Sequence, residues 1–121
     1  MIGIGIDAVD IERFRRSLER TPTLRTRLFT DDELAYLASR ADPVPGLAAR
    51  FAAREAAMKA LDQGLGAWGF HDISVVREGI GPPKLRVIGK AAEVASGFGV
   101  RGWQVSLTHT DTVAMAVVAA L

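Results

Sequence analysis

An acidic and a basic side chain lie one helical turn apart in an alanine-rich stretch near the middle of the chain. The stretch reads RFAAREAAMK, from Arg50 to Lys59, and nearly all of its residues are strong helix formers. At helical spacing one stripe of this predicted helix carries Ala48, Ala52, Glu55 and Lys59. The small alanines would let a large group approach beside Glu55. The alternative is a solvated Glu–Lys pair, worth about 0.2–0.5 kcal/mol.

A second carboxylate follows a segment near the N-terminus in which isoleucine alternates with glycine. From Ile2 to Asp7 this alternation predicts a strand with one branched face and one nearly bare face, which leads to a carboxylate at its end. Glycine inside a strand often marks the close approach of a ligand or of another backbone. Asp10 is the better cap for the following helix, because helical spacing begins at Ile11. Asp7 is therefore a candidate functional residue.

A histidine lies between two predicted strands near the C-terminus. Apolar and polar residues alternate from Trp103 to Thr108, residues 109–111 suit a tight connection, and residues 112–120 predict a buried strand. His109 is either an exposed turn residue or a functional group.

These segments resemble the holo-acyl-carrier-protein synthase family, the small bacterial type of 4′-phosphopantetheinyl transferase. The family patterns are GIGxDxxxIxR, RFAxKExxxKA and SxTHT or SxSH, and this chain has GIGIDAVDIERF, RFAAREAAMKA and VSLTHT in the same order. It also has DISV beginning at Asp72 and a GxP from Gly81 to Pro83. The resemblance covers nearly the whole chain.

The resemblance implies an α+β fold in which an antiparallel sheet packs against a long helix, assembled as a homotrimer. It also implies a magnesium-dependent enzyme that transfers 4′-phosphopantetheine from coenzyme A to a serine of an apo acyl carrier protein in fatty acid biosynthesis. In the trimer, Asp7, Glu55 and Lys59 would come from one chain and His109 from its neighbour.

Individual roles follow from the same resemblance. Asp7 and Glu55 would bind Mg²⁺, and Lys59 would reach a phosphate oxygen. The catalytic base would be Glu55, directly or through a water, with Lys59 as the alternative. The predicted contacts to coenzyme A are Arg50, Lys59, Gly64, Pro83, His109 and Thr110.

Three departures from the family pattern concern the nucleotide end of coenzyme A. Arg54 stands where the family has lysine, and Pro82 stands where the turn has a basic residue. Asp62 and Gln63 begin a segment that often reads Gly-Thr-Gly in the family.

The segment from Arg13 to Arg27 carries six arginines against Glu19 alone, which predicts an acidic partner. An acyl carrier protein fits, with Arg13, Arg20 and Arg27 as docking residues. Nucleic acid is the weaker alternative, because the segment lacks aromatic residues for stacking.

Composition sets the remaining expectations. The length of 121 residues suits a single domain over residues 1–121. The absence of cysteine excludes disulfides and thiolate metal sites and favours the cytoplasm. No apolar run reaches the length of a membrane span.

Two other functions stay open at this level. A non-catalytic module that binds acyl carrier protein would be expected to have lost Asp7, Glu55 or Lys59, and all are present. A different magnesium-dependent nucleotide enzyme is disfavoured by the absence of a P-loop.

Local signals place the remaining elements. They predict a helix from Ile11 to Arg20, a helix capped by Thr30 with Glu33, and a long helix that ends near Gly64. A hairpin over residues 72–76 and 84–88 and a short helix over 90–96 follow.

Overall fold

Two antiparallel sheets and five α-helices make up the fold. A computed structural model describes residues 1–121. Its elements are β1 (Gly3–Asp10), α1 (Ile11–Arg20), α2 (Leu24–Leu28), α3 (Asp31–Leu37), α4 (Val44–Ala60), β2 (Ile73–Val76), β3 (Lys84–Val87), α5 (Gly89–Gly97), β4 (Trp103–His109) and β5 (Val113–Ala120). None of the helices is long and apolar enough to cross a bilayer.

Helix α4 lies across the larger sheet, whose strand order is β1-β5-β4. The predicted hairpin β2–β3 forms a separate two-stranded sheet. The α+β class with antiparallel pairing is therefore confirmed. The helix caps that the sequence predicted for α1 and α3 are also present. Asp10 accepts a hydrogen bond from the Arg13 amide at 2.8 Å, and Thr30 forms a capping box with Glu33.

The glycine face of β1 packs against the backbone of α4, so of the two alternatives that the sequence left open, a ligand or another backbone, the structure shows the backbone. A Cβ atom on Gly5 would lie 1.9 Å from the carbonyl oxygen of Ala56, and one on Gly3 would lie 1.9 Å from that of Ala60. Ala48 and Ala52 are also fully buried, so they leave no room for a large group. These small residues let the helix and sheet backbones approach closely.

We predict that Gly5→Ala lowers the free energy of unfolding by about 3 kcal/mol or more, because neither backbone can move away without disturbing the core. The measurement is urea denaturation. Gly97→Ala is the matched control, since a Cβ atom there meets nothing within 4 Å and alanine favours a helix. Equal stability of the Gly5→Ala variant and the wild type would contradict this packing.

Strand β1, helix α4 and helix α2 differ from the sequence prediction. Strand β1 continues to Asp10, because it pairs with β5 along its whole length, so Asp7 lies within the strand rather than at its end. Helix α4 ends at Ala60 rather than near Gly64, and Asp62 follows with a φ of 53°. Helix α2 has no side-chain cap, and its five residues gave no periodic signal.

Arg54 is a structural residue, and this accounts for one departure from the family pattern. It is 1% exposed. Its Nη1 donates to Glu33 Oε2 at 2.9 Å, and its Nε donates to the carbonyl oxygen of Phe70 at 2.9 Å. Burial acts to raise the pKa of Glu33, but hydrogen bonds and charge from Arg54 hold that pKa below its ordinary value. A lysine ammonium could not match this forked geometry.

Candidate functional site

Two carboxylates from different elements share an open cleft of about 340 Å³. Asp7 comes from β1 and Glu55 from α4, and Arg13 of α1 stands beside them. The aromatic rings of Phe14 and Phe51 form part of the wall. The structure thus brings Asp7 and Glu55 into one cleft, and their role as metal ligands stays a prediction.

Lys59 pairs with Asp7 rather than with Glu55. Its Nζ lies 3.0 Å from Asp7 Oδ1 and donates to the carbonyl oxygen of Ile6 at 3.0 Å. The Lys59 side chain is 56% exposed and that of Asp7 is 18% exposed. The simple Glu–Lys helix pair is therefore absent, and the ammonium group stays accessible at the rim of the cleft.

Glu55 is half-buried and has no ion-pair partner. Burial raises its pKa, and the nearby charge of Asp7 raises it further, while Lys59 acts in the opposite direction. A carboxylate in this position repels its neighbour and gains from a cation or a proton placed between them.

The oxygen donors of the cleft suit a Mg²⁺ ion that also binds phosphate oxygens of a substrate. Mg²⁺ in phosphate chemistry usually takes one or two carboxylates and completes its shell with waters and phosphate oxygens. Asp7 and Glu55 supply two hard oxygen donors that repel one another. No group of three or more His, Cys, Asp or Glu side chains in the chain could hold a metal ion by itself.

His109 lies elsewhere, in a small pocket of about 130 Å³ with Arg50. Arg50 is 5% exposed and stacks on the ring of Tyr36, with 5.3 Å from its Cζ to the ring centroid. Its guanidinium donates one hydrogen bond, from Nη1 to the carbonyl oxygen of Gly46 at 3.1 Å. Arg40 and Arg77 also line this pocket, and no sequence pattern singled them out.

Helical geometry separates this second pocket from the carboxylate cleft. Arg50 and Glu55 are five residues apart on α4, so their side chains point about 140° apart around the helix axis. The predicted coenzyme contacts therefore do not converge within one chain. Gly64 and Pro83 line neither pocket. The Thr110 hydroxyl accepts hydrogen bonds from the amides of Thr112 and Val113, which stabilises the β4–β5 turn.

The predicted docking arginines are exposed and free of ion pairs. Arg13 lines the carboxylate cleft, and Arg27 lines an adjoining apolar pocket of about 400 Å³. Arg20 lies further along α1. Arg15 differs, because it forms ion pairs with Glu12 and Asp42. The basic surface is thus smaller than the arginine count indicated.

The apolar pocket beside the carboxylate cleft was missed by sequence reasoning. Both share Phe14, Ser17, Phe51 and Glu55. The pocket also takes Leu24 and Leu28 from α2 and Phe70 from the 3₁₀ turn Phe70–Asp72. Three of its lining residues, Leu24, Arg27 and Leu28, come from α2, which the sequence analysis did not predict.

Comparison with known proteins gives consistent matches. Residues 3–118 match the 4′-phosphopantetheinyl transferase superfamily. The chain is 49% identical to a holo-[acyl-carrier-protein] synthase of Streptomyces griseus, over 99% of this chain and 98% of that protein. It superposes on a holo-[acyl-carrier-protein] synthase structure from Neisseria meningitidis with a TM-score of 0.89 at 28% identity, covering 100% of this chain and 98% of the other. A holo-[acyl-carrier-protein] synthase structure from Helicobacter pylori in complex with coenzyme A gives a TM-score of 0.80 at 26% identity, covering 98% of this chain and 99% of the other.

Proposed function

The chain belongs to the 4′-phosphopantetheinyl transferase superfamily, and from this premise we propose how its own residues perform the transfer. It is an enzyme that moves 4′-phosphopantetheine from coenzyme A to a serine of an apo acyl carrier protein. The products are the holo carrier protein, which fatty acid biosynthesis requires, and adenosine 3′,5′-bisphosphate. The observation that carries the proposal is the shared cleft of Asp7 and Glu55 with Lys59 held against Asp7.

In the proposed reaction the protein positions the reactants and neutralises charge. The serine oxygen forms a bond to the phosphorus nearer the pantetheine, and the bond from that phosphorus to the bridging oxygen breaks. Lys59 reaches a pyrophosphate oxygen from the rim of the cleft. Asp7 and Glu55 would hold Mg²⁺, which when bound supplies positive charge at the pyrophosphate.

Glu55 is the proposed acceptor of the serine proton, directly or through a water. Its place in the cleft beside Asp7 puts a carboxylate oxygen where the serine hydroxyl would bind, which is what general base catalysis requires. Lys59 is the alternative base, although its Nζ is held against Asp7 Oδ1 at 3.0 Å.

Incubation with coenzyme A, magnesium and an apo carrier protein tests the function. Intact mass of the carrier should rise by one phosphopantetheine, and chelation of magnesium should abolish the gain. A carrier protein that binds without gaining mass would favour the non-catalytic binding module instead. The cytoplasmic location stays a prediction.

A homotrimer is the proposed assembly, and the outer face of the larger sheet supports it. On the side away from α4, Ile4 and Ile6 are 61% and 54% exposed, and Met115 of β5 is 36% exposed. Contiguous apolar surface of this kind usually marks an interface. A cyclic trimer would cover it with the same contact in each subunit.

A composite site between subunits is the proposed arrangement. Arg50 and His109 share one pocket, and Glu55 faces away from it on α4. If a neighbouring subunit brings its His109 pocket to the carboxylate cleft, Arg50 arrives with it. The resemblance named His109 as coming from the neighbour, and this proposal adds Arg50.

We predict that Arg13→Glu with Arg20→Glu raises the KM for carrier protein roughly tenfold or more at low salt, since both side chains lie on one exposed face of α1. The KM for coenzyme A should stay nearly unchanged. Steady-state kinetics at several salt concentrations measure both, and the wild-type reaction should weaken with salt.

Arg86→Glu with Arg101→Glu is the matched control for this variant. It makes the same change in net charge at two exposed arginines outside α1. Equal effects of the two double variants would point to net charge alone, and an unchanged KM for the carrier would place the docking face elsewhere.

A further inference from the structure

Helix α1 has a docking arginine on one edge and an ion-paired arginine on the other. Arg13 and Arg15 are two residues apart, so their side chains point about 160° apart around the helix axis. The buried stripe of Ile11, Phe14 and Leu18 runs between these two edges. Arg13 lines the carboxylate cleft, whereas Arg15 faces the segment that joins α3 to α4. The two edges of α1 therefore meet different parts of the protein.

Arg15 binds Asp42 through a forked pair of hydrogen bonds. Its Nη1 donates to Asp42 Oδ1 at 3.0 Å, and its Nη2 donates to Asp42 Oδ2 at 2.7 Å. The Nε of the same guanidinium lies 3.3 Å from each carboxylate oxygen of Glu12, which stands one turn earlier on α1. Most exposed ion pairs contribute little to stability, but a bidentate arginine–carboxylate pair is geometrically specific. The pair therefore constrains orientation more than it adds stability.

Asp42 connects this contact to the start of α4. Its Oδ1 also accepts a hydrogen bond at 3.1 Å from the amide of Val44, the first residue of α4. The hydrogen bonds from Arg15 and from the Val44 amide lower the pKa of Asp42, so the carboxylate stays ionised at neutral pH. Asp42 thus joins α1 to the helix that carries Glu55.

No other side chain of α1 makes a hydrogen bond or an ion pair with a residue outside the helix. The Ser17 hydroxyl donates to the carbonyl oxygen of Arg13 within α1 itself. The buried stripe makes apolar contacts, and such contacts are not directional. Without the ion pair, α1 can roll on this stripe, and Arg13 and Arg20 then lose their fixed orientation.

We propose that Arg15 and Asp42 are positioning residues that hold the docking arginines Arg13 and Arg20 at a fixed angle to the carboxylate cleft. The inference rests on the proposed function. When only a fraction of the molecules has the competent orientation, the apparent affinity for a partner falls by that fraction. Loss of the ion pair should therefore raise the KM for carrier protein, while saturating carrier restores the wild-type kcat.

Steady-state kinetics of Arg15→Lys and Asp42→Asn test this role. Lysine keeps the charge of Arg15 but cannot form the fork, and asparagine keeps an oxygen for the Val44 amide. Each variant should raise the KM for carrier protein about two- to fivefold, the range for an exposed ion pair. The kcat and the KM for coenzyme A should stay unchanged. The double variant should show no further rise, because both changes act through one contact.

Glu19→Gln is the matched control for Asp42→Asn. Glu19 is an exposed acid on α1 that forms no ion pair. Both substitutions remove one negative charge, and added positive charge alone should lower the KM for an acidic carrier. The two variants should therefore shift this KM in opposite directions.

A fall in KM for Asp42→Asn, as in the control, would make Asp42 only a competitor for the arginines and overturn the proposal. An unchanged KM for Arg15→Lys, or a loss confined to kcat, would overturn it as well. If the wild type binds the apo carrier without modifying it, the proposed function fails instead. Calorimetric titration with the carrier then decides, because the dissociation constant should rise for Arg15→Lys and fall for Glu19→Gln. A wild type that binds no carrier would overturn this inference too.

Discussion

Glu55→Gln should lower turnover by about two to four orders of magnitude, because it removes both a metal ligand and the proposed general base. Asp7→Asn should lower turnover strongly as well, and it should raise the magnesium concentration needed for half-maximal rate. The measurement is the rate of carrier modification across a magnesium titration. Asp111→Asn is the control, since Asp111 is an exposed acid in the β4–β5 turn.

Stability separates loss of chemistry from loss of fold in these variants. The raised pKa of Glu55 means that its ionisation opposes folding once the pH exceeds the ordinary carboxyl pKa. In metal-free buffer at neutral pH, Glu55→Gln should therefore melt at the same temperature as the wild type or higher. An active-site variant that retains near-normal turnover with unchanged magnesium dependence would remove that residue from the proposed site.

Co-refolding Glu55→Ala with His109→Ala should restore activity to about a quarter of the wild-type value. Each variant alone should be inactive. An intact composite site needs the carboxylates of the His109 variant and the histidine pocket of the Glu55 variant, and random assembly makes this pairing at about a quarter of interfaces. The measurement is carrier modification after joint unfolding and refolding, compared with the two variants mixed without subunit exchange.

Two further pairs of co-refolded variants test which residues come from the same subunit. Asp7→Ala with Glu55→Ala should recover nothing, because both residues line the same cleft. Arg50→Gln with Glu55→Ala should recover activity if Arg50 travels with His109, as their shared pocket indicates. If inactive Glu55 and His109 variants recover nothing together, the site forms within one chain.

Helix caps and strand alternation were predictable because they depend on residues that are close together in the sequence. Asp10 and Thr30 cap their helices through amides three residues away, and such contacts follow from spacing alone. The alternation from Trp103 to Thr108 predicted β4 for the same reason, and the strand extends one residue further, to His109. The short α2 was missed because five residues are too few to show a period.

The sequence by itself determined which chemical groups this protein carries, with Asp7, Glu55 and Lys59 in motifs whose local structure is clear. Only the tertiary structure decided their partners. The glycines of β1 pack against the α4 backbone, Lys59 meets Asp7 rather than Glu55, and Arg50 faces His109. Strand register and the rotation of α4 about its axis set these contacts, and both depend on packing between segments that are far apart in the chain.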